Sequence, residues 1–518
     1  MTPVYGDCAK IGCVDYYPIK FNPMFDNSEC ESEINKLIFG DGLFTYDQSG
    51  NLINGLAESA EQENDHIWHV KLYSDVQFHD RSQLVSEDVK FSFELYKKFS
   101  LEVPKLFQFR LINNIEILDR LNLRIILKEH LEDFKQFIGQ MPILPKNKYE
   151  HWLDYNYVAD LPMVIPAVGT GYFLHRQEGP NNEVRLEFNP VHYKKWANLG
   201  GVDFVFFETY DQMVDAYLSE KIDVIQVQGS TVRQKIFQIL GSFNFLSVPR
   251  DDIKLYYINL NTTAFPFNDK EIRRALNYAI NRSFIVDKYL DDNARIAYNL
   301  LNEKSKYFLE QPKPVHYNPR HSLEILTRDG YKRKIGKLEN NDRELRFDIY
   351  FEEGSEFEES LIRLISINLL ELGINVVPKP LKPKDIKTLL ERGDYQAALQ
   401  HFVYDPRYSI EALKAYYFQE LNKSDEFKNY SDRFINQRFK MSNDPSNDME
   451  QIMFQIQNRM YQDIPCIYLF FQENTFYAID NRFSHVRNPV YKDLKSILKL
   501  YPIYEWYVPK DKQKYKIY

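Results

Sequence analysis

The sequence predicts an α/β protein built as two lobes. Three observations carry that reading: two separate strand-helix-strand segments about 150 residues apart, a length of 518 residues, and an apolar content of 44% spread along the chain. A single core stops growing near roughly 250 to 300 residues, so two or three domains are expected. Aromatic residues reach 15%, with 37 Tyr and 37 Phe. Most of them must fill cores, and some are available to a ligand cleft.

The first segment begins with the apolar, strand-like residues 202–207. It continues through a helical stretch holding Met213, Ala216 and Tyr217, and ends in a second strand at 222–227. In the second, residues 345–351 alternate like a strand, and Ser355 with Glu358 forms a capping-box pattern. Leu361, Ile365 and Leu369 recur at helical spacing until Gly373 stops the helix, and 374–377 supplies the next strand. A parallel pair needs a crossover helix, so each segment predicts its own sheet and lobe. Ser86 ahead of Glu87 and Asp88 marks a further helix start, with Val89, Phe93 and Tyr96 on the apolar face. Asn268 with Glu271 caps another, whose Ile272, Leu276 and Ala279 share a face. Pro378, Pro380 and Pro383 read as a stiff surface connection.

Several function classes are disfavoured. The 65 basic and 74 acidic residues are mixed, giving a formal net charge of -9, without the concentrated basic face that nucleic acid requires. The stretch 464–471, among the longest apolar ones, is interrupted by Pro465 and falls short of the roughly 20 residues of a membrane span. The start of the chain lacks a basic segment followed by an apolar one, so either a leader has been trimmed or the protein stays inside the cell. Cys8, Cys13, Cys30 and Cys466 are too few for a disulfide scaffold or a metal site; only Cys8 and Cys13 are close enough to suggest a local pair.

Reaction motifs are missing as well: there is no phosphate loop, zinc-protease helix, nucleophile elbow or dinucleotide fingerprint. His66 and His69 fall on a strand-like alternation that sends them to opposite faces. Phe78-His79-Asp80 reads as a structural turn, since no nucleophile is in context to use the imidazole. His316 and His321 read as loop and helix-start residues. Val168-Gly169-Thr170-Gly171-Tyr172 reads as a tight turn entering a strand. No cofactor, metal or catalytic residue is expected.

An ordered series of short motifs does stand out. It comprises Asp41-Gly42-Leu43-Phe44-Thr45-Tyr46-Asp47, Leu56-Ala57-Glu58-Ser59, Val76-Gln77-Phe78-His79-Asp80 and Glu87-Asp88-Val89 with Ser92-Phe93. It continues through Val168-Gly169-Thr170-Gly171, Phe188-Asn189-Pro190, the 265–280 segment with Arg273-Arg274-Ala275-Leu276, Asn429-Tyr430-Ser431 and Pro465-Cys466-Ile467-Tyr468. On these residues the chain resembles the family 5 solute-binding proteins of ABC transporters, which include the oligopeptide- and dipeptide-binding proteins. Arg81 and Asp75 stand where that family has glycines, and His401-Phe402 replaces its Gly-Trp pair.

The resemblance implies a two-lobed periplasmic-binding-protein-like fold (type II, cluster C) with an extra inserted domain. Domain I would comprise 1–44, 166–255 and 468–518, the inserted domain II 45–165, and domain III, the opposite lobe, 256–467. It further implies a non-enzymatic, monomeric receptor in the periplasm or on the outer face of the membrane, delivering a peptide to permease subunits and binding no nucleic acid. Asp405 would take the ligand's α-ammonium, because a cation withdrawn from water needs a paired charge. Ser28, Glu29, Cys30, Phe402, Val403 and Tyr404 match the family's backbone-contact segments, where a peptide can add as a strand. Tyr257, near a lobe crossover, joins this lining set. The alternatives are a nickel chelate, haem or oligosaccharide as cargo, or an intracellular ligand sensor.

Overall fold

Two long antiparallel strands, Asn244–Leu260 and Cys466–Ile479, form the axis of the molecule. The computed structural model describes residues 6–14, 19–24, 28–47, 51–100, 102–131, 134–179, 182–227, 230–240, 243–290, 294–310, 315–404, 406, 409–420, 430–442, 447–486 and 502–515. On one side of the axis the sheet continues through Ala397–Tyr404 and Arg346–Glu352 to the edge strand Asn375–Leu381. On the other it runs through Val224–Val227, Cys8–Val14, Gly201–Phe207 and Glu183–Phe188 to Phe173–Gly179. With Ala294–Ile296 paired to the second axial strand, the sheet has 11 strands.

The pairing of the two axial strands slips at two places, by one residue between Tyr256 and Tyr257 and by more just before Lys254. Pro249 faces Asn474, and the next matched pair is Lys254 with Gln472. Five steps along one strand thus answer two along the other, a large bulge that bends and twists the sheet. The two lobes meet at this bend.

Alternation along the first axial strand separates two cores in the lobe that follows the bend. Tyr256, Ile258 and Leu260 pack into one, while Ile253, Leu255 and Tyr257 pack into the other on the opposite face, as a period of two dictates. The other lobe has a core assembled from both ends and the middle of the chain: Ala9, Phe39, Val202, Phe204, Ile479 and Trp506 belong to one cluster. The same cluster takes in Trp68, Phe93 and Ile125, so the four-stranded sheet of Ala57–Asn64, Ile67–Leu72, Asn122–Leu127 and Ile112–Ile117 is seated on that lobe.

Five sequence expectations need correction. The two strand-helix-strand segments share one sheet, because the axial strands run through both lobes. The second segment is an adjacent parallel pair bridged by Glu356–Glu371, but in the first, Cys8–Val14 is inserted between Gly201–Phe207 and Val224–Val227, parallel to both. Pro378 and Pro380 lie inside the strand Asn375–Leu381, not in a connection; an edge strand tolerates a missing N–H on its outer side. Pro383 starts the helix Pro383–Arg392. The cap ahead of Ile272 is Asp269, whose carboxylate accepts from the Glu271 N–H at 2.8 Å, rather than Asn268. Ser355 does cap its helix by accepting from the Glu358 N–H at 3.2 Å, but the Glu358 carboxylate accepts from the Glu352 N–H at 2.8 Å instead of closing the box.

Candidate functional site: the cleft at the bend

The helix Glu29–Phe39 points its N-terminus at the bend. Ser28 caps it, its hydroxyl accepting from the Glu31 N–H at 3.1 Å, and the first-turn acids Glu29 and Glu31 suit the helix dipole. Cys30 ties this turn to the sheet through a disulfide with Cys13. The suggested Cys8–Cys13 pair is thereby corrected. Both residues lie on one extended strand, where five steps at roughly 3.3 Å separate them far beyond disulfide reach.

The Glu29 carboxylate is held from two directions. Its Oε1 is 3.3 Å from the Lys254 ammonium, and its Oε2 accepts from the Gln226 amide at 2.9 Å. The Lys254 side chain is only 6% exposed and that of Glu29 35%, so the pair lies mostly out of water, where a charge requires a partner. Lys254 sits directly after the bulge and is paired in register with Val403. One ion pair therefore joins the N-terminal helix to the strand that pairs with Ala397–Tyr404, which carries the second expected contact segment.

The charge of Lys254 is also felt by Glu358, whose pKa is pushed up to about 8, first by burial and then by Glu352, with the positive charge of Lys254 acting in the opposite direction. The Lys254 ammonium also lies 5.6 Å from the centre of the Tyr256 ring, within cation–π range.

The expected lining residues separate by depth. Ser28, Glu29 and Cys30 are half-buried at the helix start, and Phe402 and Val403 are half-buried across the bend. The Phe402 ring is 5.8 Å from Tyr404 and 5.4 Å from Tyr416. Tyr404 is buried and donates to the Leu300 carbonyl at 2.9 Å. Tyr257 is fully buried, its ring 5.2 Å from Tyr416. Asp405 lies outside the described residues. Lys254 and Gln226 were missed by sequence reasoning; a lysine between Ile253 and Leu255 gives only the pattern of a strand with one solvated face.

The histidine expectations can be placed too. His69 lies on the strand Ile67–Leu72 and pairs with Glu63 at 2.6 Å. His79 is a structural pin: its Nδ1 accepts from the Gly169 N–H at 3.3 Å and its Nε2 lies 3.0 Å from the Gly171 carbonyl oxygen. Burial pushes its pKa down to about 4, keeping the ring neutral. Among the described residues, no group of three or more His, Cys, Asp or Glu is placed to hold a metal ion, and no helix is long and apolar enough to cross a membrane.

The sequence profile of the bacterial extracellular solute-binding proteins, family 5 (middle), matches residues 51–423. The oligopeptide-binding protein AppA of Bacillus subtilis is 22% identical over 388 residues, covering 72% of this chain and 69% of AppA. The structure of B. subtilis AppA in complex with a nonapeptide superposes with a TM-score of 0.73 at 18% identity, covering 98% of this chain and 100% of that one. The structure of NikZ from Campylobacter jejuni in complex with Ni(L-His) gives 0.76 at 20% identity, covering 97% and 99%. Curated relatives are matched over 58% to 69% of their own length. The profile spans most of the chain and the two-lobed architecture agrees with it, so this protein belongs to the bacterial extracellular solute-binding protein family 5, a family of transport receptors and not of enzymes.

Proposed function

We propose that this chain is the extracytoplasmic receptor of an ABC importer, a monomeric, non-catalytic protein that closes two hinged lobes over a peptide and presents it to the permease. The observation that carries this reading is a convergence: the start of the helix Glu29–Phe39 and the strand Ala397–Tyr404 both meet Lys254 at the large bulge in the shared sheet. Backbone groups of residues 28–30 and 402–404 would pair with an extended peptide, which gives affinity without reading side chains. Asp405 would take the ammonium terminus. The expected domain limits at 255/256 and 467/468 fall within the two axial strands, which fits a hinge built from them.

A second reading keeps the fold and changes the cargo to a nickel-histidine chelate. His401 favours it: the ring is exposed on the strand that would line the cleft, 5.6 Å from Tyr256. Thermal shift against synthetic tri- to nonapeptides, nickel-histidine and oligosaccharides separates the readings. A ligand at 100 times its Kd stabilises by about 2.7 kcal/mol, so peptides should raise Tm while Asp405→Asn abolishes the rise. Stabilisation by the chelate or by sugars alone would remove peptides from the account.

A further inference from the structure

The two strand-helix-strand units meet each other at their first turns. In one lobe the turn follows Gly201–Phe207 and leads into the helix Tyr210–Leu218; in the other it follows Arg346–Glu352 and leads into Glu356–Glu371. Turns of this kind stand at the carboxyl ends of strands, the edge where open α/β sheets face their ligands.

Three independent contacts join them. The Asp211 N–H donates to the Gly354 carbonyl at 3.0 Å, using one of the otherwise orphaned donors of a helix start. Gly354 has φ +75, and a methyl placed on it would sit 2.7 Å from the Cβ of Thr209, the residue that caps the facing helix. Finally, Lys382, just beyond the strand Asn375–Leu381, reaches Glu208 at 2.6 Å. Both charged groups are well exposed, at 50% and 65%, so the ion pair is weak and open to screening by salt.

Resting on the hinged-lobe reading above, we infer that Glu208, Thr209 and Asp211 with Gly354 and Lys382 form a latch that biases the two lobes toward the shut arrangement. A contact present in only one of two states shifts their balance by its own free energy and no more. Weak, exposed, reversible contacts meet that need without trapping cargo. The glycine is required twice over, for its left-handed backbone and for the close approach of Thr209. The latch would add to whatever preference the ligand supplies, since it touches neither Glu29 nor Lys254.

Small-angle scattering of the full ligand-free chain tests this. The wild type should match the shut arrangement, Glu208→Lys and Lys382→Glu should each enlarge the radius of gyration, and the double swap should restore it. Gly354→Ala should enlarge it as well. Gly336→Ala should not, because Gly336 has the same kind of backbone, φ +79, with nothing within 4 Å of a methyl. Circular dichroism identifies any variant that fails to fold, and the alanine pair then decides alone. A wild type that scatters as the open form, or a Gly354→Ala chain indistinguishable from Gly336→Ala, overturns the latch. Neither outcome touches the ligand panel, and failure of the panel leaves the scattering result standing.

Discussion

Lys254 is the residue on which the two lobes and the expected contact segments converge. Its side chain is almost fully buried, with Glu29 as one ion-pair partner. Removing one member of such a pair leaves the other desolvated with less compensation, while removing both together relieves that penalty. Glu29→Gln is therefore expected to cost about 1–2 kcal/mol, and Glu29→Gln with Lys254→Met should cost less than the sum of the single changes. Urea denaturation of the four chains measures this coupling; strict additivity would show that the pair is not an energetic unit. The importance of Lys254 was illegible in the sequence for a physical reason. Residues 253–255 alternate apolar, charged, apolar, which reads as a strand with one wet face. Whether that face is wet depends on the other lobe, and local pattern holds no information about it.

At the scale of elements, the disulfide Cys13–Cys30 fastens the helix Glu29–Phe39 to the strand Cys8–Val14 across 17 residues. Closing a loop of this size removes about 3 kcal/mol of unfolded-state entropy in the chain-entropy account. Cys13→Ser is expected to lower stability by about that amount, and reduction of the wild type should reproduce most of the loss. Denaturant midpoints with and without a reductant check both; a wild type insensitive to reduction would contradict the assignment. Elements with strong local signals were readable in advance. Ser355, Leu361, Ile365 and Leu369 placed the helix Glu356–Glu371, and Phe78-His79-Asp80 was a turn as expected. Neighbour relations were not readable: nothing near residues 202–227 announces that Cys8–Val14 separates the two strands. The prolines of Asn375–Leu381 misled for a related reason, since an edge position is a property of the finished sheet.

For the whole molecule, the decisive feature is that the lobes share a sheet whose axial pairing slips most at one large bulge, between Pro249 and Lys254. Residues 254–260 are flanked by paired strands on both sides, Ala397–Tyr404 and Cys466–Ile479. Residues 250–252 fall in the gap of register opposite Gln472 to Asn474. Hydrogen exchange is thus expected to be faster at amides 250–252 than at 254–260, because local opening follows the loss of ladder bonds. Uniform protection along the strand would mean that the hinge lies elsewhere. The two-lobed plan was legible from the sequence; the bulge that joins the lobes was not, because it is defined by the mismatch between two strands more than 200 residues apart.

This joint also limits how the lobes can travel. Both axial strands are stitched to each other on either side of the irregularity, so neither lobe can slide along the axis without tearing ladder bonds. What remains is rotation, like covers turning about a spine, with the greatest displacement at the rim farthest from the fold line and almost none beside Lys254.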